Sequence, residues 1–476
     1  MAESERTVCA WAEYEIGHAN FGDARLSKRA PRVLARLMAK PMALIPEASA
    51  DWAEAKATYR FMDNEKVEQD AIVAAHRART LERASQHPVV LAIGDTAMLD
   101  YSAHLRTTGL GPLADIEHHG LLLHPTLLVT PELVPQGLLD HYVWTREEAT
   151  FANGDKTELA KRHITEKESY KWMRSLEAAE KAQEMLRTAG ADTKVISVFD
   201  REGDVYEVLA RASTTKCGLI VRSMNDRRVD GDDAYLWDTI ESAEIVGHVT
   251  INLPRTPKRK AREAHLSVRF GTVTLQPPRN RKASEGLKPV IVRVVYAQEL
   301  GTPPDAPDVE PIRWRILTTE QVESFEDALR ILEYYRCRWA IELFFRILKS
   351  GCKTEDRRLE TAERLKRILI FDSIVASRVL YLTTAGRATP DLPCSVVFDE
   401  HEWKALYLFV HRSPSKVPKK PPPLGEVTRL IGRLGGHLGR KCDGEPGQTV
   451  MWRGLTRLTD IAATFSLVTG ESVGFG

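Results

Sequence analysis

The sequence lacks the hallmarks of several protein classes. Its six cysteines form no C-x-x-C pair, and no histidines stand at zinc-finger spacing, so we expect a reduced, intracellular chain without structural zinc. The N-terminus has no apolar core of a signal peptide, and the apolar runs are too short to cross a bilayer. These absences predict a cytoplasmic protein that does not associate with membranes.

The sequence also lacks the motifs of two classes of enzyme. No G-x-x-x-x-G-K-[ST] stretch occurs, so an ATP-driven mechanism is not supported, and no G-x-S-x-G stretch occurs, which argues against covalent serine chemistry. The formal net charge is only +1, so the chain as a whole has no basic excess of the kind that indicates nucleic-acid binding. Any nucleic-acid site must therefore be local.

The pattern of apolar residues changes along the 476 residues. Residues 1–70 and those after about 375 show helical periodicity. From residue 88, apolar runs alternate with a helical segment, which predicts an α/β domain around a mixed sheet. Four segments between residues 226 and 320 predict antiparallel strands inserted into that domain.

Two segments carry a local basic excess. Residues 25–40 hold six cations and no acid, and Asp23 stands where it could cap the helix that they predict. Pro31 is expected to kink or restart this helix. Residues 255–282 hold nine cations and one acid. Both segments predict contacts with phosphates, and the alternative for the first is a solvated helix face. The basic stripe of the first segment consists of Arg25, Arg29, Arg32, Arg36 and Lys40.

Three acidic residues stand where an α/β fold places ligand-binding groups. Asp95 emerges from the apolar run "VVLAIG", Asp200 follows "VISVF", and Glu342 lies on the helix after the β insertion. Two strand-end aspartates and a helical glutamate make a hard-oxygen site for Mg²⁺ or Mn²⁺, and two such ions can clamp both oxygens of a phosphoryl displacement. For either aspartate alone, a turn or capping role is the alternative.

The segment 334–351 predicts one amphipathic helix with a charged strip. At about 100° per residue, the five members of the strip fall within an arc of about 80°, and Trp339 lies at its edge. Arg338 and Lys349 can hold phosphates, and Tyr335 can donate a hydrogen bond to a phosphate oxygen. The alternative is a solvated face with local ion pairs. The strip consists of Tyr335, Arg338, Glu342, Arg346 and Lys349.

The spacing of four of these residues matches a family signature. Tyr335, Arg338, Glu342 and Lys349 reproduce Y-x2-R-x3-E-x6-K, and the chain therefore resembles the DDE transposases of bacterial insertion sequences. Within them it is similar to the hairpin-forming, cut-and-paste subgroup that includes the transposon-five transposase. "AIGDTAMLDY" and "VISVFDREGDVY" resemble the segments that carry the two catalytic aspartates. The resemblance implies catalysis by Asp95, Asp200 and Glu342 with two Mg²⁺ ions, for which Mn²⁺ can substitute.

The resemblance also implies an architecture and partners. We expect an α/β fold with an RNase H-like catalytic core over residues 71–375, interrupted by the β insertion at about 226–320. A helical domain that binds transposon ends is expected over residues 1–70, and a helical dimerisation region over 376–476. The expected partners are double-stranded DNA and a second copy of the chain. The expected location is the cytoplasm, in association with the bacterial nucleoid.

The family's reaction supplies the finer expectations. Hydrolysis nicks the transposon end, the freed 3′-OH attacks the opposite strand to form a hairpin, and the reopened end is joined to target DNA. Trp314 matches the tryptophan that stacks on a flipped base, and Trp339, Arg346 and Arg222 match DNA-contact positions. Two rival functions stay open: an RNase H-like Mg²⁺ nuclease without strand transfer, and a catalytically silent DNA-binding regulator.

Overall fold

The chain divides into two units, and each draws on separate stretches of the sequence. Unit one comprises Met1–Gln86, Thr96–Asn153 and Ala340–Gly476, and unit two comprises His87–Asp95 and Gly154–Trp339. The computed structural model describes residues 3–148, 163–253, 261–279, 286–301, 310–440 and 443–469, with side chains from residue 9 onward. Most cations of the predicted basic segment 255–282 lie outside these residues. The predicted domain limits at residues 70 and 375 stay a prediction.

The described residues form eleven strands, and most of them follow the apolar runs in the sequence. They are β1 (Val89–Gly94), β2 (Ala97–Asp100), β3 (Gly111–Pro112), β4 (His119–Val129), β5 (Pro135–Trp144), β6 (Lys194–Phe199), β7 (Gly218–Arg222), β8 (Gly247–Leu253), β9 (Arg262–Leu275), β10 (Val290–Glu299) and β11 (Arg313–Thr318).

Most of the helices of the described residues lie before residue 85 or after residue 361, and five lie between residues 170 and 346. They are α1 (Glu3–Ile16), α2 (Ala24–Ala39), α3 (Ile45–Ala48), α4 (Trp52–Asp63), α5 (Gln69–Ala84), α6 (Tyr170–Thr188), α7 (Tyr206–Ala212), α8 (Leu236–Glu241), α9 (Phe325–Arg336), α10 (Ala340–Arg346), α11 (Ala362–Ala388), α12 (Glu400–His411), α13 (Leu424–Leu434) and α14 (Gln448–Thr469).

Unit two is built around a mixed sheet. Its strands lie in the order β1, β6, β7, β11, β10, β9, β8. The first three are parallel neighbours with buried, mainly apolar centres, and the last four continue the sheet as antiparallel neighbours. α6 covers β1 and β6, where Trp172 contacts Phe199 with 5.1 Å between ring centroids. The predicted α/β class and the antiparallel insertion are therefore confirmed.

Unit one combines strands with most of the helices. β2, β3 and β5 each pair antiparallel with β4, and β5 packs against α5 and α11. α11 is long and apolar enough to cross a membrane, but 89% of its most apolar window is buried inside the protein. Such burial is typical of the core helix of a globular fold. The helical character predicted for both ends of the chain is confirmed.

The helix α2 runs without a break through Pro31. It begins at Asp23, whose carboxylate accepts the backbone N–H of Arg25 at 2.9 Å, as the capping prediction requires. The prediction that the helix restarts at Pro31 is wrong. Pro31 and Leu34 are buried on the apolar face, so the packing of that face outweighs the one backbone hydrogen bond that a proline cannot donate.

The segment 334–351 is not one regular α-helix. α9 ends at Arg336, a 3₁₀ turn spans Cys337–Trp339, α10 follows, and a π-helical stretch spans Ile347–Gly351. The uniform step of 100° per residue therefore does not hold, and the predicted single strip is wrong as a geometric description. Local 3₁₀ and π geometry of this kind often marks functional positions in a helix.

Candidate active site and DNA interface

Two predicted catalytic aspartates lie at the ends of neighbouring parallel strands. β1 pairs with β6 in a register that sets Val89 opposite Lys194 and Ile93 opposite Val198. Asp95 and Asp200 each stand two residues past the last pair of this register, so they leave neighbouring strands at equivalent positions. Asp95 directly follows β1 rather than standing inside a longer strand. The carboxyl ends of parallel strands are where α/β sheets bind ligands, so both carboxylates belong to one potential site.

The Asp200 carboxylate is largely removed from water. It caps the 3₁₀ turn Arg201–Gly203 by accepting the backbone N–H of Glu202 at 2.9 Å. Burial raises the pKa of Asp200, while the Glu202 N–H and the nearby Arg338 guanidinium act in the opposite direction. A desolvated carboxylate of this kind is suited to a divalent cation, which supplies the missing positive charge.

The Asp95 carboxylate is held by a guanidinium. Arg338 Nη1 donates to Asp95 Oδ2 at 2.9 Å, and both side chains are only 17% exposed. The positive charge of Arg338 also acts on Asp200, where it lowers the pKa of that carboxyl. One signature residue of the segment 334–351 therefore faces both strand-end aspartates.

The signature tyrosine lies inside unit two and not on a solvent-facing strip. Tyr335 is only 7% exposed, so this part of the strip prediction is wrong. Its ring meets Trp314 edge-on, with 5.8 Å between centroids and 69° between planes. Burial raises the pKa of Tyr335, and the guanidiniums of Arg222 and Arg338 lower it.

The remaining predicted contacts of unit two lie around this tyrosine. Arg222, at the end of β7, donates to the carbonyl of Arg313 at 3.1 Å, and burial lowers its pKa. Trp314 on β11 is half-buried, whereas Trp339 is 59% exposed. Unit two thus brings an aromatic pair and two guanidiniums together near Asp200, which the sequence spacing alone could not establish.

The other signature residues belong to unit one. Glu342 is half-buried on α10, and Lys349 lies in the π-helical stretch. Lys349 Nζ pairs with Glu355 at 3.1 Å and donates to the carbonyl of Met98. Arg346 is exposed and donates to the Thr449 hydroxyl at 3.3 Å.

The donor set at the strand ends fits a hard divalent cation. In the part of the chain that the structure describes, no three His, Cys, Asp or Glu side chains form a cluster able to hold a metal ion. The adjacent carboxylates of Asp95 and Asp200 nevertheless supply the oxygen ligands that Mg²⁺ and Mn²⁺ prefer. The third predicted ligand, Glu342, lies in unit one, and its role as a ligand stays a prediction.

The predicted basic stripe of α2 is partly neutralised. Arg25 pairs with Asp23 at 3.0 Å, and Arg36 pairs with Glu54 on α4 at 3.1 Å. The other members differ in exposure: Arg32 is exposed, and Arg29 and Lys40 are half-buried. The stripe is therefore less available to phosphates than its sequence suggests.

Helix α4 carries a second candidate interface that the sequence reasoning missed. Trp52, Lys56 and Arg60 are all exposed, and Trp52 reaches 63% exposure. The Lys56 ammonium lies 5.6 Å from the centre of the Trp52 ring. The signal was present in "DWAEAKATYR", because a step of four residues places the three side chains on one helix face.

Comparisons with known proteins agree with these features. Family models match over residues 8–67 (Transposase DNA-binding), 180–376 (Transposase DDE domain) and 374–467 (Transposase Tn5 dimerisation domain). Among solved structures, the piggyBac transposase synaptic complex with hairpin DNA matches with 10% identity and a TM-score of 0.28, over 81% of this chain and 67% of that one. A similarity of that size supports no conclusion about fold or chemistry.

The three family models match different parts of the chain in an order that describes one enzyme. A DNA-binding region is followed by a DDE domain that contains Asp200 and Glu342, and a dimerisation region completes the chain. This order agrees with the resemblance drawn from the signature residues and with the strand-end carboxylates of unit two. The chain therefore belongs to the Tn5-like DDE transposases.

Proposed function

We propose that this transposase moves DNA by a cut-and-paste reaction with a hairpin intermediate. The proposal is supported by the positions of Asp95 and Asp200 after the paired strands β1 and β6, together with the Arg338 guanidinium, which pairs with Asp95 and whose charge acts on Asp200. Carboxylates at this edge of a sheet, next to a cation that can hold a phosphate, form a site for phosphodiester chemistry.

The proposed metal ligands are Asp95, Asp200 and Glu342. Bound Mg²⁺, or Mn²⁺ in its place, would activate the attacking oxygen and stabilise the leaving one. The chain's own residues orient the DNA: Arg338 and Lys349 hold phosphates next to the cleaved bond through charge-assisted hydrogen bonds. The Asp200 carboxylate is itself partly shielded from water, which strengthens its interaction with a bound cation.

The hairpin step needs a place for an unpaired base. Trp314 is half-buried, and its ring rests edge-on against Tyr335, so its orientation is fixed by packing. We assign to Trp314 the stacking of a base flipped out near the cleaved end, and to Tyr335 the positioning of that ring. Arg222, Trp339 and Arg346 are further proposed contacts to DNA.

The proposed DNA-end interface combines the basic stripe of α2 with the exposed face of α4. The face of α4 joins an aromatic platform to two cations, a combination that is common in nucleic-acid interfaces. The matched dimerisation domain supports a homodimer in which two protomers hold two ends. We place the protein in the bacterial cytoplasm, on the DNA that it moves.

The experiment that tests this proposal uses DNA with the terminal repeats that flank the gene. The protein and Mg²⁺ are added, and the products are separated on a denaturing gel. We expect a hairpin band at about twice the length of the single strand, because the 3′-OH joins the two strands covalently. Nicks without hairpins would instead indicate a nuclease, and a gel shift without any cutting would indicate a silent regulator.

A further inference from the structure

Arg338 has two roles in the proposed site, and they compete: it pairs with the Asp95 carboxylate, and it is proposed to hold a DNA phosphate. Arg338 Nη1 donates to Asp95 Oδ2 at 2.9 Å, and both side chains are mostly shielded from water. The same guanidinium is the group proposed to hold a phosphate of the DNA end. A charge that neutralises a carboxylate in this setting is not fully available to a phosphate as well.

The residues around Arg338 make this competition stronger. Its charge acts on both Asp95 and Asp200, so it is a shared counter-ion of two adjacent carboxylates. A further guanidinium, that of Arg222, donates to the carbonyl of Arg313 and reaches Tyr335. In the described part of unit two, Arg338 thus pairs with one strand-end aspartate, Asp95, and its charge also reaches the other, Asp200.

A divalent cation bound by these carboxylates would meet the guanidinium as a like charge. Metal binding by Asp95 therefore becomes easier when Arg338 turns toward a DNA phosphate and harder when it stays on the carboxylate. Two ligands that bias one side chain in this way raise each other's affinity by the same factor.

We propose that Arg338 couples the binding of a DNA end to the binding of the divalent metal, by releasing the Asp95 carboxylate when it takes up a DNA phosphate. The inference rests on the proposed function, because it uses the proposed metal ligands. Its consequence is that the free protein is held in a state with weak metal binding until DNA occupies the site.

The test measures the affinity of the full-length protein for Mn²⁺ by electron paramagnetic resonance, without DNA and with a pre-cut terminal-repeat duplex. Pre-cut DNA separates binding from cleavage. The variants are Arg338→Gln, which removes the charge, and Arg338→Lys, which keeps it. The matched control is Arg336→Gln, because Arg336 is exposed on the same segment and pairs with Glu333 at 2.7 Å.

We expect Arg338→Gln to bind Mn²⁺ about tenfold more tightly than the wild type in the absence of DNA, within the usual range of coupling between two sites. DNA should strengthen Mn²⁺ binding in the wild type by more than in Arg338→Gln. Arg338→Lys and Arg336→Gln should stay close to the wild type without DNA.

Equal Mn²⁺ affinities of Arg338→Gln and the wild type without DNA would overturn the coupling and leave the proposed function standing. A different result would contradict the proposed function itself. If the wild type with DNA binds no Mn²⁺, or if Asp95→Asn binds it as well as the wild type does, the assigned metal ligands are wrong and the coupling falls with them.

Discussion

The strand ends of unit two and the N-terminal helices of unit one both carry dense charge, but they balance it differently. At the strand ends, Asp95 is paired with a shielded guanidinium, and Asp200 is largely buried. On the N-terminal helices, cations such as Arg32 and Arg60 are exposed to water. The first region fixes its charges before any ligand arrives, and the second leaves them in solvent.

This difference matches two kinds of task. Shielded charges interact strongly and depend little on salt, as phosphodiester chemistry requires. Exposed cations contribute through counter-ion release, so their effect on DNA binding depends steeply on salt. We therefore expect substitutions in the first region to change catalysis and substitutions in the second to change affinity.

The first prediction has the largest expected effect, and it separates catalysis from DNA binding most clearly. Asp95→Asn and Asp200→Asn should each reduce DNA cutting by about a thousandfold or more, because removing a group at the centre of a catalytic constellation costs that much. Binding of end DNA in a gel shift should not be weakened by either variant, since no proposed phosphate contact is lost.

The matched control for these variants is Asp192→Asn. Asp192 is exposed and stands just before β6, whereas Asp200 stands just after it. Cutting by Asp192→Asn should equal that of the wild type. Strong cutting by Asp200→Asn would contradict the assignment of catalysis to the strand ends and of DNA affinity to the N-terminal helices, because the strand ends would then not be the catalytic region.

The second prediction concerns the aromatic pair of unit two. Trp314→Ala should spare the first nick and slow hairpin formation by about tenfold to a hundredfold, because base stacking on an aromatic ring contributes about 1–3 kcal/mol. Trp314→Phe should recover most of the rate. Time courses on denaturing gels give both steps, and an equal loss in nicking and hairpin formation would contradict the stacking role.

The third prediction compares an exposed cation with a paired cation in the N-terminal helices. Arg60→Ala should weaken DNA binding several-fold and lower the salt dependence of the binding constant by about one phosphate contact. Arg36→Ala should have a smaller effect, since Arg36 pairs with Glu54 at 3.1 Å. Fluorescence anisotropy at several salt concentrations measures both. Equal slopes for the two variants would show that exposure does not distinguish these cations.

The smallest effect concerns stability and a buried acid outside both regions. Burial raises the pKa of Glu402 from an ordinary value of 4.5 to about 8, so the folded state favours its neutral form. The stability that this group contributes is present below pH 4.5 and is lost as the pH rises through about 8. Glu402→Gln should therefore raise the free energy of unfolding at pH 9 by about 1–3 kcal/mol.

Denaturant unfolding of both proteins at pH 5 and pH 9 tests this prediction. Glutamine keeps an oxygen that can accept the Asp399 N–H, which Glu402 accepts at 3.0 Å, so the helix cap is preserved. Parallel pH dependence in the two proteins would contradict it. The outcome also bears on Asp200, because it shows how strongly this fold disfavours a buried carboxylate.

Much of the fold follows from the sequence, because strands such as β1 and β6 are short, mainly apolar runs rich in β-branched residues, which is typical of a buried strand. The position of Asp95 and Asp200 after these runs was predictable for the same reason. The parallel register that leaves them at equivalent positions on neighbouring strands was not, because pairing between distant segments leaves no local pattern.

The errors share a physical origin. Uniform periodicity assumes a regular helix, but the segment around Tyr335 and Lys349 passes through 3₁₀ and π geometry that tertiary packing imposes. Charge counts in α2 ignored Glu54, which lies in another helix and pairs with Arg36. The continuity of α2 through Pro31 likewise depends on a buried face that local propensity does not describe.

The most direct test of the account is the position of the metal. A structure of the full-length protein with pre-cut terminal-repeat DNA and Mn²⁺, with anomalous scattering to identify the ions, would locate it. The account predicts Mn²⁺ bound by carboxylate oxygens of Asp95, Asp200 and Glu342, with Arg338 on a DNA phosphate. Mn²⁺ bound elsewhere, or a cleaved end distant from these three carboxylates, would contradict it.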